Sequence, residues 1–553
     1  MLRNNPLLAQ LKEEIRAATP RVEGVIKATE KNFGFLETDN GKSYFVPPPA
    51  MKKVLHGDRV EAVVHEEGDK TSVEPETLRE KGVDRFVGRV RKKDGRLGVV
   101  PDHPLIRQTL NARFKRSLED NPPGDGDWVM ARLLRHPLNE GDRGFFVQIE
   151  SLVVAQDDPR VPWRVTLARH ELEQQCPAHD ATREPADDLP REDLTGEPFF
   201  TIDSETTEDM DDALRVRALA DGGWELQVAI ADPTAYIDAE HAADQEARTR
   251  AFTVYLPGQN ITMLPEAIAH HQCSLLAGED RLALLCRLTV GADGALGDYR
   301  FFAGKIRSSA KLSYNQVSDW LEDEGDWRPE AALGEQLRAL ADLTAARIQW
   351  RDRHGVASQD RPDYVFRLDD SGAVLGIDVE ERRIANRMIE EAMIAANSCC
   401  ADFLDKQVGR GIFNTHRAFD PQKVEGARAL LADHDIEVAE EALTELEPYC
   451  ELRRSLDARG DAWLDARLRQ FQGYSEFSPR PAPHFGMGVP AYATWTSPIR
   501  KYGDMVNHRL IKSALAGEVA ADELSDQLIE QLSERRRLNR LAERDVKDWL
   551  YVR

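Results

Sequence analysis

The sequence predicts a multidomain chain in which two small all-β barrels precede a large α+β body. Three observations predict it. The 553 residues exceed what one hydrophobic core organises. Residues 21–83 and 84–154 consist of short β-patterned runs broken by Gly, Asn and Asp turns. The remainder mixes strand patterns with long helical ones in no regular alternation.

The opening stretch, residues 1–20, carries Leu7, Leu8, Leu11 and Ile15 at helical spacing and predicts a short amphipathic helix. Its acids among the apolar residues are unlike a secretion signal, and no stretch reaches the roughly 20 apolar residues of a membrane span, so a cytoplasmic protein without a membrane partner is expected. In residues 21–83, "RVEGVIKA", "FGFLET", "SYFVPPP" and "DRVEAVVHE" read as strands joined at "TDNGK" and "LHGD". Here Phe33 and Phe35 lie two apart on one strand face, Tyr44 and Phe45 follow on the next strand, and Lys27, Lys31 and Lys42 surround them. Aromatics beside lysines on a barrel face form a stacking platform with phosphate contacts. We expect Phe33, Phe35, Tyr44 and Lys31 to bind a nucleic acid strand, while Phe45 is as well suited to the barrel core.

Residues 84–154 repeat the barrel pattern with a basic hairpin, "DRFVGRVRKKDGRLGVVPD". Residues 155–195, rich in Pro, Asp, Glu and Arg, read as a connecting segment, and 196–553 as the large body. Within it "LRVRALADGGWELQVAIAD" is a hairpin with a Gly-Gly turn. Ile384, Met388, Ala392, Ala395 and Cys399 mark a buried helix, and Leu524, Leu528, Leu532, Leu538 and Leu541 a long terminal one with an arginine face. The six cysteines show no metal-ligand spacing and read as reduced thiols.

Charge alone decides little. The chain carries −24, yet residues 1–100 hold 19 Lys and Arg against 16 Asp and Glu, so a locally basic end tops an acidic body. Binding of a polyanion responds to local potential, and such a chain can still take nucleic acid.

The stretch "TIDSETTEDMDDAL" follows a buried-looking strand and holds Asp203, Asp209, Asp211 and Asp212 within ten residues. Like charges this close oppose compaction unless solvated or neutralised by a cation. An EF-hand calcium loop counted from Asp203 requires Gly at its sixth and Glu at its twelfth position, where Glu208 and Leu214 stand. A magnesium site, with Mn²⁺ a possible substitute, remains, with the four aspartates as ligands and phosphodiester hydrolysis as its chemistry. A non-metal cation near the phosphate is offered by "TSPIRKYGD", through Arg500 with Lys501 and Tyr502 beside it; pairing with a structural acid explains Arg500 equally well.

"TIDSETTEDMDDAL", "VAIADPTAYI", "RAFTVYLPG", "HFGMGVPAYATWTSPIRKYGDMVNHR" and the cold-shock-like "KNFGFLETDNGKSYFVP" together resemble the ribonuclease II (RNB) family, most closely its exoribonuclease II branch. The resemblance covers nearly the whole chain. It implies two cold-shock (OB) barrels and an RNB catalytic domain acting as a processive 3′→5′ exoribonuclease. Such an enzyme hydrolyses single-stranded RNA to 5′-nucleoside monophosphates with Mg²⁺, as a monomer and without an organic cofactor. By the same resemblance Asp203, Asp209 and Asp212 fall on metal-site aspartates and Asp211 on the one tied to the chemical step. Arg500 falls on the phosphate-stabilising arginine, Tyr255 on the base-stacking aromatic and Glu543 on an acid near the leaving nucleotide. The alternative is a non-catalytic RNA-binding paralogue. Two departures stand out: Ala357 and Ser358 occupy the place of a second stacking aromatic, and the S1 domain that follows in the family is expected to be absent after Arg553.

Overall fold

A computed structural model describes residues 20–67, 70–178, 184–239, 241–356, 363–518 and 524–552. The helix expected over residues 1–20 (Pro20 apart), part of the connecting segment, and Ala357 with Ser358 lie outside the described residues. The chain forms two compact units, one of Met1–Gln174, Asp369–Ala373 and Asp545–Arg553, the other of Gln175–Leu368 and Val374–Arg544. No helix among the described residues is long and apolar enough to cross a membrane.

The first unit holds two closed five-stranded barrels. In the first, β1 (Arg21–Ala28), β2 (Gly34–Glu37), β3 (Ser43–Val46), β4 (Arg59–Glu67) and β5 (Lys70–Glu80) run in the order β1-β2-β3-β5-β4. The period-2 alternation of strands sends Ile26, Leu36, Val46, Val60 and Val73 inward. The register pairs Phe35 with Phe45 and Leu36 with Tyr44. Tyr44 therefore packs against the barrel core, which corrects its assignment to the RNA face, and Phe45, 39% exposed, takes that place. One residue of register decides which ring meets solvent. Phe33, Phe35 and Phe45 form one cluster, with ring centroids 5.6–6.2 Å apart.

The second barrel comprises β6 (Arg85–Lys93), β7 (Arg96–Pro101), β8 (Leu110–Phe114), β9 (Trp128–Arg135) and β10 (Phe146–Val154), followed by helix α1 (Val161–Arg169). A buried carboxylate joins the barrels. Asp58 accepts the backbone N–H groups of Leu55 (2.6 Å) and Gly82 (2.9 Å), and its Oδ2 lies 2.9 Å from His136 Nε2. Gly57, at φ +89°, turns the chain into this contact, and Gly82 lies flat against it.

The second unit is built on a third closed barrel, which the sequence reading left as an undivided α+β body. Its strands are β11 (Glu192–Asp203), β12 (Asp212–Ala218), β13 (Trp224–Ala231), β16 (Asp280–Val290) and β17 (Leu296–Ser313), with the hairpin β14 (Val254–Leu256) and β15 (Gln259–Ile261) inserted. The parallel pairing of β11 with β17 closes it and sets Asp203 opposite Ser313. Helices α2 (Ala242–Arg250), α3 (Ala331–His354), α4 (Ile384–Phe403) and α5 (Tyr502–Leu515) surround the barrel. On α4 Met388, Ala392, Ala395 and Cys399 are buried, as the spacing predicts. In the terminal helix α6 (Asp526–Val552), Leu528 and Leu532 are buried, whereas Leu538 and Leu541 are only partly so. At about 100° per residue the latter two fall on the flank and far side from Leu532.

Adding a Cβ at Gly82 places it 2.2 Å from the Gly57 carbonyl carbon, a backbone atom without a rotamer to yield. Gly82→Ala is expected to lower stability by roughly 1–3 kcal/mol, as overpacking does, measured as a drop in urea midpoint at unchanged m. An unshifted midpoint contradicts this account of the junction.

Candidate active site

Strand β11 ends at Asp203 and β12 begins at Asp212, so the acidic stretch is the turn at one mouth of the barrel. It is a packed turn. The Met210 N–H donates to Ser274 Oγ (3.0 Å), Ser274 Oγ donates to the Glu208 carbonyl (2.7 Å), Leu275 N–H to the Met210 carbonyl (3.0 Å) and Lys311 Nζ to the Thr207 carbonyl (2.7 Å). With Met210 buried and its backbone satisfied, the loop holds its aspartates in fixed places.

The four acids differ in what they touch. Asp211 is buried, its Oδ1 accepting the Ile499 N–H (3.1 Å) and its Oδ2 the Arg500 Nε–H (3.1 Å). Asp203 Oδ2 and Asp212 Oδ2 are buried and accept no hydrogen bond among the described residues. Asp209 Oδ2 lies 3.5 Å from the Tyr255 hydroxyl, a long contact.

Burial, with the Asp209 charge added, raises the Asp203 carboxyl to about 6 against the pull of Arg500 and Lys311. Burial raises Asp211 to about 7 although Arg500 opposes it. Asp212 is pushed well above the ordinary range by burial and by Asp203 and Asp211. Elsewhere in this unit Asp232, fully buried, is held well below that range: burial opposes its charge, but Lys512 and Arg191, 3.0 and 2.9 Å away, prevail. The barrel mouth thus gathers acids whose ionisation the local cations only partly support.

These residues fit a divalent cation, because two buried carboxylate oxygens without donors are what an oxygen-seeking ion replaces water around. No three acid, histidine or cysteine side chains surround a single ion position among the described residues. Asp203 and Asp212 are the acids with oxygens to offer, while Asp211 is committed to Ile499 and Arg500.

Arg500 is built in by a chain of contacts. Asp504, buried, accepts Thr494 Oγ1–H (2.6 Å) and the Ser497 N–H (2.9 Å), fixing the turn before α5. Ser497 Oγ in turn accepts from Arg500 Nη2 (3.0 Å). The side chain is still 42% exposed, and Nη1 makes no hydrogen bond among the described residues. Burial works against its charge, but Asp211 and neighbours raise its pKa, so it stays cationic. The Thr253 N–H donates to the Arg500 carbonyl (3.0 Å), which brings β14 and Tyr255 alongside.

A cleft of about 200 Å³ gathers Tyr255, Arg500, Lys501, Arg540 and Glu543, so four residues chosen from separate parts of the sequence share one wall. Tyr502 does not join them. It is buried and donates its hydroxyl to Asp244 Oδ2 (2.9 Å), while Asp244 Oδ1 accepts from Arg509 Nη2 (2.6 Å), so it anchors α5 rather than RNA, a correction to the expected binding role. Phe33, Phe35 and Lys31 belong to the other unit. Tyr314, the residue after β17, lies close enough to the acidic turn that burial and the Asp212 and Asp203 charges hold its phenol well above its usual value, a neighbour the sequence does not reveal. A lone tyrosine a hundred residues from the acidic turn gives no signal until the β11–β17 register joins them.

Residues 191–517 match the RNB domain and residues 24–80 the ribonuclease B OB domain. The exoribonuclease 2 of Pectobacterium atrosepticum is 54% identical over 555 residues, covering 100% of this chain and 86% of that relative. Among solved structures, Mycoplasma genitalium RNase R in complex with ribose-methylated single-stranded RNA matches with a TM-score of 0.78 at 22% identity, over 96% of this chain and 86% of that one. Yeast Ssd1, a pseudonuclease, matches with a TM-score of 0.63 at 14% identity, over 97% of this chain and 74% of that one. A fold shared with a pseudonuclease leaves the side chains to separate cutting from binding.

The raised carboxyls give a pH prediction. Their folded-state pKa values, about 6 for Asp203 and about 7 for Asp211, exceed the ordinary 3.8, so their contribution favours the folded state at low pH and is lost as pH rises through those values. Chelator-treated protein is expected to lose about 4 kcal/mol between pH 5 and 8 from these groups. The rise in Tm on adding Mg²⁺ or Mn²⁺ is expected to grow over the same range. A metal-induced shift that is constant from pH 5 to 8, measured by thermal denaturation, contradicts the assignment.

Proposed function

The chain belongs to the RNB family, alongside the exoribonuclease 2 proteins, and from that premise we propose that the barrel mouth hydrolyses single-stranded RNA processively from its 3′ end, releasing 5′-nucleoside monophosphates with Mg²⁺ as the metal. The observation that carries this reading is the pair of donorless carboxylate oxygens, Asp203 Oδ2 and Asp212 Oδ2, beside a cationic arginine. Asp203 and Asp212 would hold the ion, and Asp209 at the rim adds its charge. When bound, a divalent cation neutralises phosphodiester charge and makes an attacking water available at neutral pH.

The chain's own residues supply the rest. Arg500, held at Nε by Asp211 and at Nη2 by Ser497, presents Nη1 to the phosphate and takes up charge growing on its oxygens. Asp211 fixes that rotamer and, through the Ile499 N–H, ties the acidic turn to the arginine loop. Tyr255, 42% exposed, offers its ring to a base near the strand's 3′ end. Glu543, on the same cleft wall, accepts from ribose hydroxyls, and a 2′-hydroxyl there tells RNA from DNA. In the other unit the cluster of half-buried Phe33 and Phe35 with exposed Phe45, beside Lys31, serves as a stacking platform for the strand. The cysteines are free thiols, five of them buried, which suits work in the reducing cytoplasm.

With 5′-labelled poly(A) and Mg²⁺, the protein is expected to give a shortening ladder ending in a small limit product and to leave the matched deoxyribose oligomer whole. A non-catalytic binder leaves both whole, and that result contradicts the reading. Arg500→Ala is expected to lower the cleavage rate by about 10²- to 10³-fold, as removal of one transition-state donor does. Asp211→Asn is expected to abolish most turnover. RNA affinity, measured by filter binding, should stay near wild type in both variants, and parallel loss of binding contradicts their roles.

A further inference from the structure

Beside the Arg500 cleft lies a second cavity, of about 350 Å³, that shares Phe252, Lys501, Arg536 and Arg540 with it and adds Phe477 and His484. Its size falls within the roughly 300 to 1,000 Å³ of small-ligand sites. Its lining is cationic and aromatic together. Phe252 and Phe477 stack with centroids 6.3 Å apart and planes at 23°, and the Arg536 guanidinium lies 4.1 Å over the Phe477 ring.

Among the described residues Lys501, Arg536 and Arg540 form no ion pair, and Asp504 and Glu476 only partly offset their charge. Burial and the Arg540 charge lower Arg536 to about 10, and burial lowers Lys501 against the pull of Asp504, with Arg500 adding to the lowering. Asp504 lines the cavity, but its oxygens already accept from Thr494 and Ser497. The buried Nδ1 of His484 makes no hydrogen bond among the described residues. Gathered cations beside an aromatic wall call for a ligand that is anionic at one end and flat at the other.

We propose that this cavity receives the released nucleoside 5′-monophosphate, its phosphate against Lys501, Arg536 and Arg540 and its base against the Phe252 and Phe477 wall. The inference rests on the exoribonuclease reading. An enzyme that keeps its polymer while discarding one nucleotide per step needs somewhere for the product to go other than back along the strand. Lys501, next to Arg500 in sequence and common to both cavities, is placed to pass the phosphate from one to the other.

The test is calorimetric titration of the full chain with AMP, adenosine and inorganic phosphate, none of which requires turnover. Wild type is expected to bind AMP saturably. Arg536→Gln is expected to weaken AMP about tenfold, the value of one charge-assisted contact, while Arg536→Lys retains most of the affinity. Phe477→Ala, which lines this cavity and not the Tyr255 cleft, is expected to weaken AMP and adenosine, leave phosphate unchanged, and leave the affinity for a ten-nucleotide RNA unchanged. Unchanged thermal midpoints confirm that the variants are folded. Absence of saturable AMP binding, or equal AMP affinity in wild type and all variants, overturns the proposal. RNA affinity falling in parallel with AMP in Phe477→Ala places the cavity on the polymer's path and also overturns it. Failure to cleave poly(A) while AMP binding follows this pattern counts against the nuclease reading alone.

Discussion

Two carboxylate oxygens buried at the mouth of a closed barrel with no hydrogen-bond donor set the terms for the second unit. A buried charge must be paired, hydrogen-bonded or neutralised by protonation. The chain demonstrates the first solution at Asp232, where Lys512 and Arg191 close on the carboxylate and hold it ionised. At Asp203 and Asp212 it withholds that solution although each buries a carboxylate oxygen, and both acids are pushed upward. The same unit can therefore build an ion pair and does not build one here. An external cation is the remaining way to keep these acids charged at neutral pH.

The surrounding architecture keeps that vacancy of charge in register with a fixed cation. Asp211 spends both oxygens on Ile499 and Arg500, so the turn between β11 and β12 and the loop before α5 move as one body. Behind the loop, Asp504 ties Thr494 to Ser497, and Tyr502 and Arg509 converge on Asp244 of α2. The arginine that faces phosphate is thus positioned by hydrogen bonds several residues deep, which preorganises it at no cost during the reaction. Because a pseudonuclease shares this fold, these side chains and not the topology carry the activity.

What the sequence made legible follows from range. The acidic turn was readable because its four aspartates lie within ten residues and follow an apolar strand. The Arg500 loop was readable because "TSPIRKYGD" is compact. The barrels of the first unit were readable because their strands are short and punctuated by turns. The third barrel escaped because its closure depends on the parallel pairing of β11 with β17, about a hundred residues apart, with the β14–β15 hairpin interrupting the meander. Tyr314 escaped for the same reason. Tyr44 and Phe45 were exchanged because neighbouring aromatics on a strand differ only by register, and Tyr502 was misplaced because nothing local shows that Asp244 waits for its hydroxyl.

The central claim is that a divalent cation occupies the barrel mouth through Asp203 and Asp212. Titrating chelator-treated protein with Mn²⁺ at pH 7.5 and following free ion by electron paramagnetic resonance tests it without turnover. The account expects saturable uptake by wild type that is lost in the Asp203→Asn, Asp212→Asn double variant while the fold, followed by circular dichroism, is retained. Equal Mn²⁺ uptake by the two proteins contradicts it.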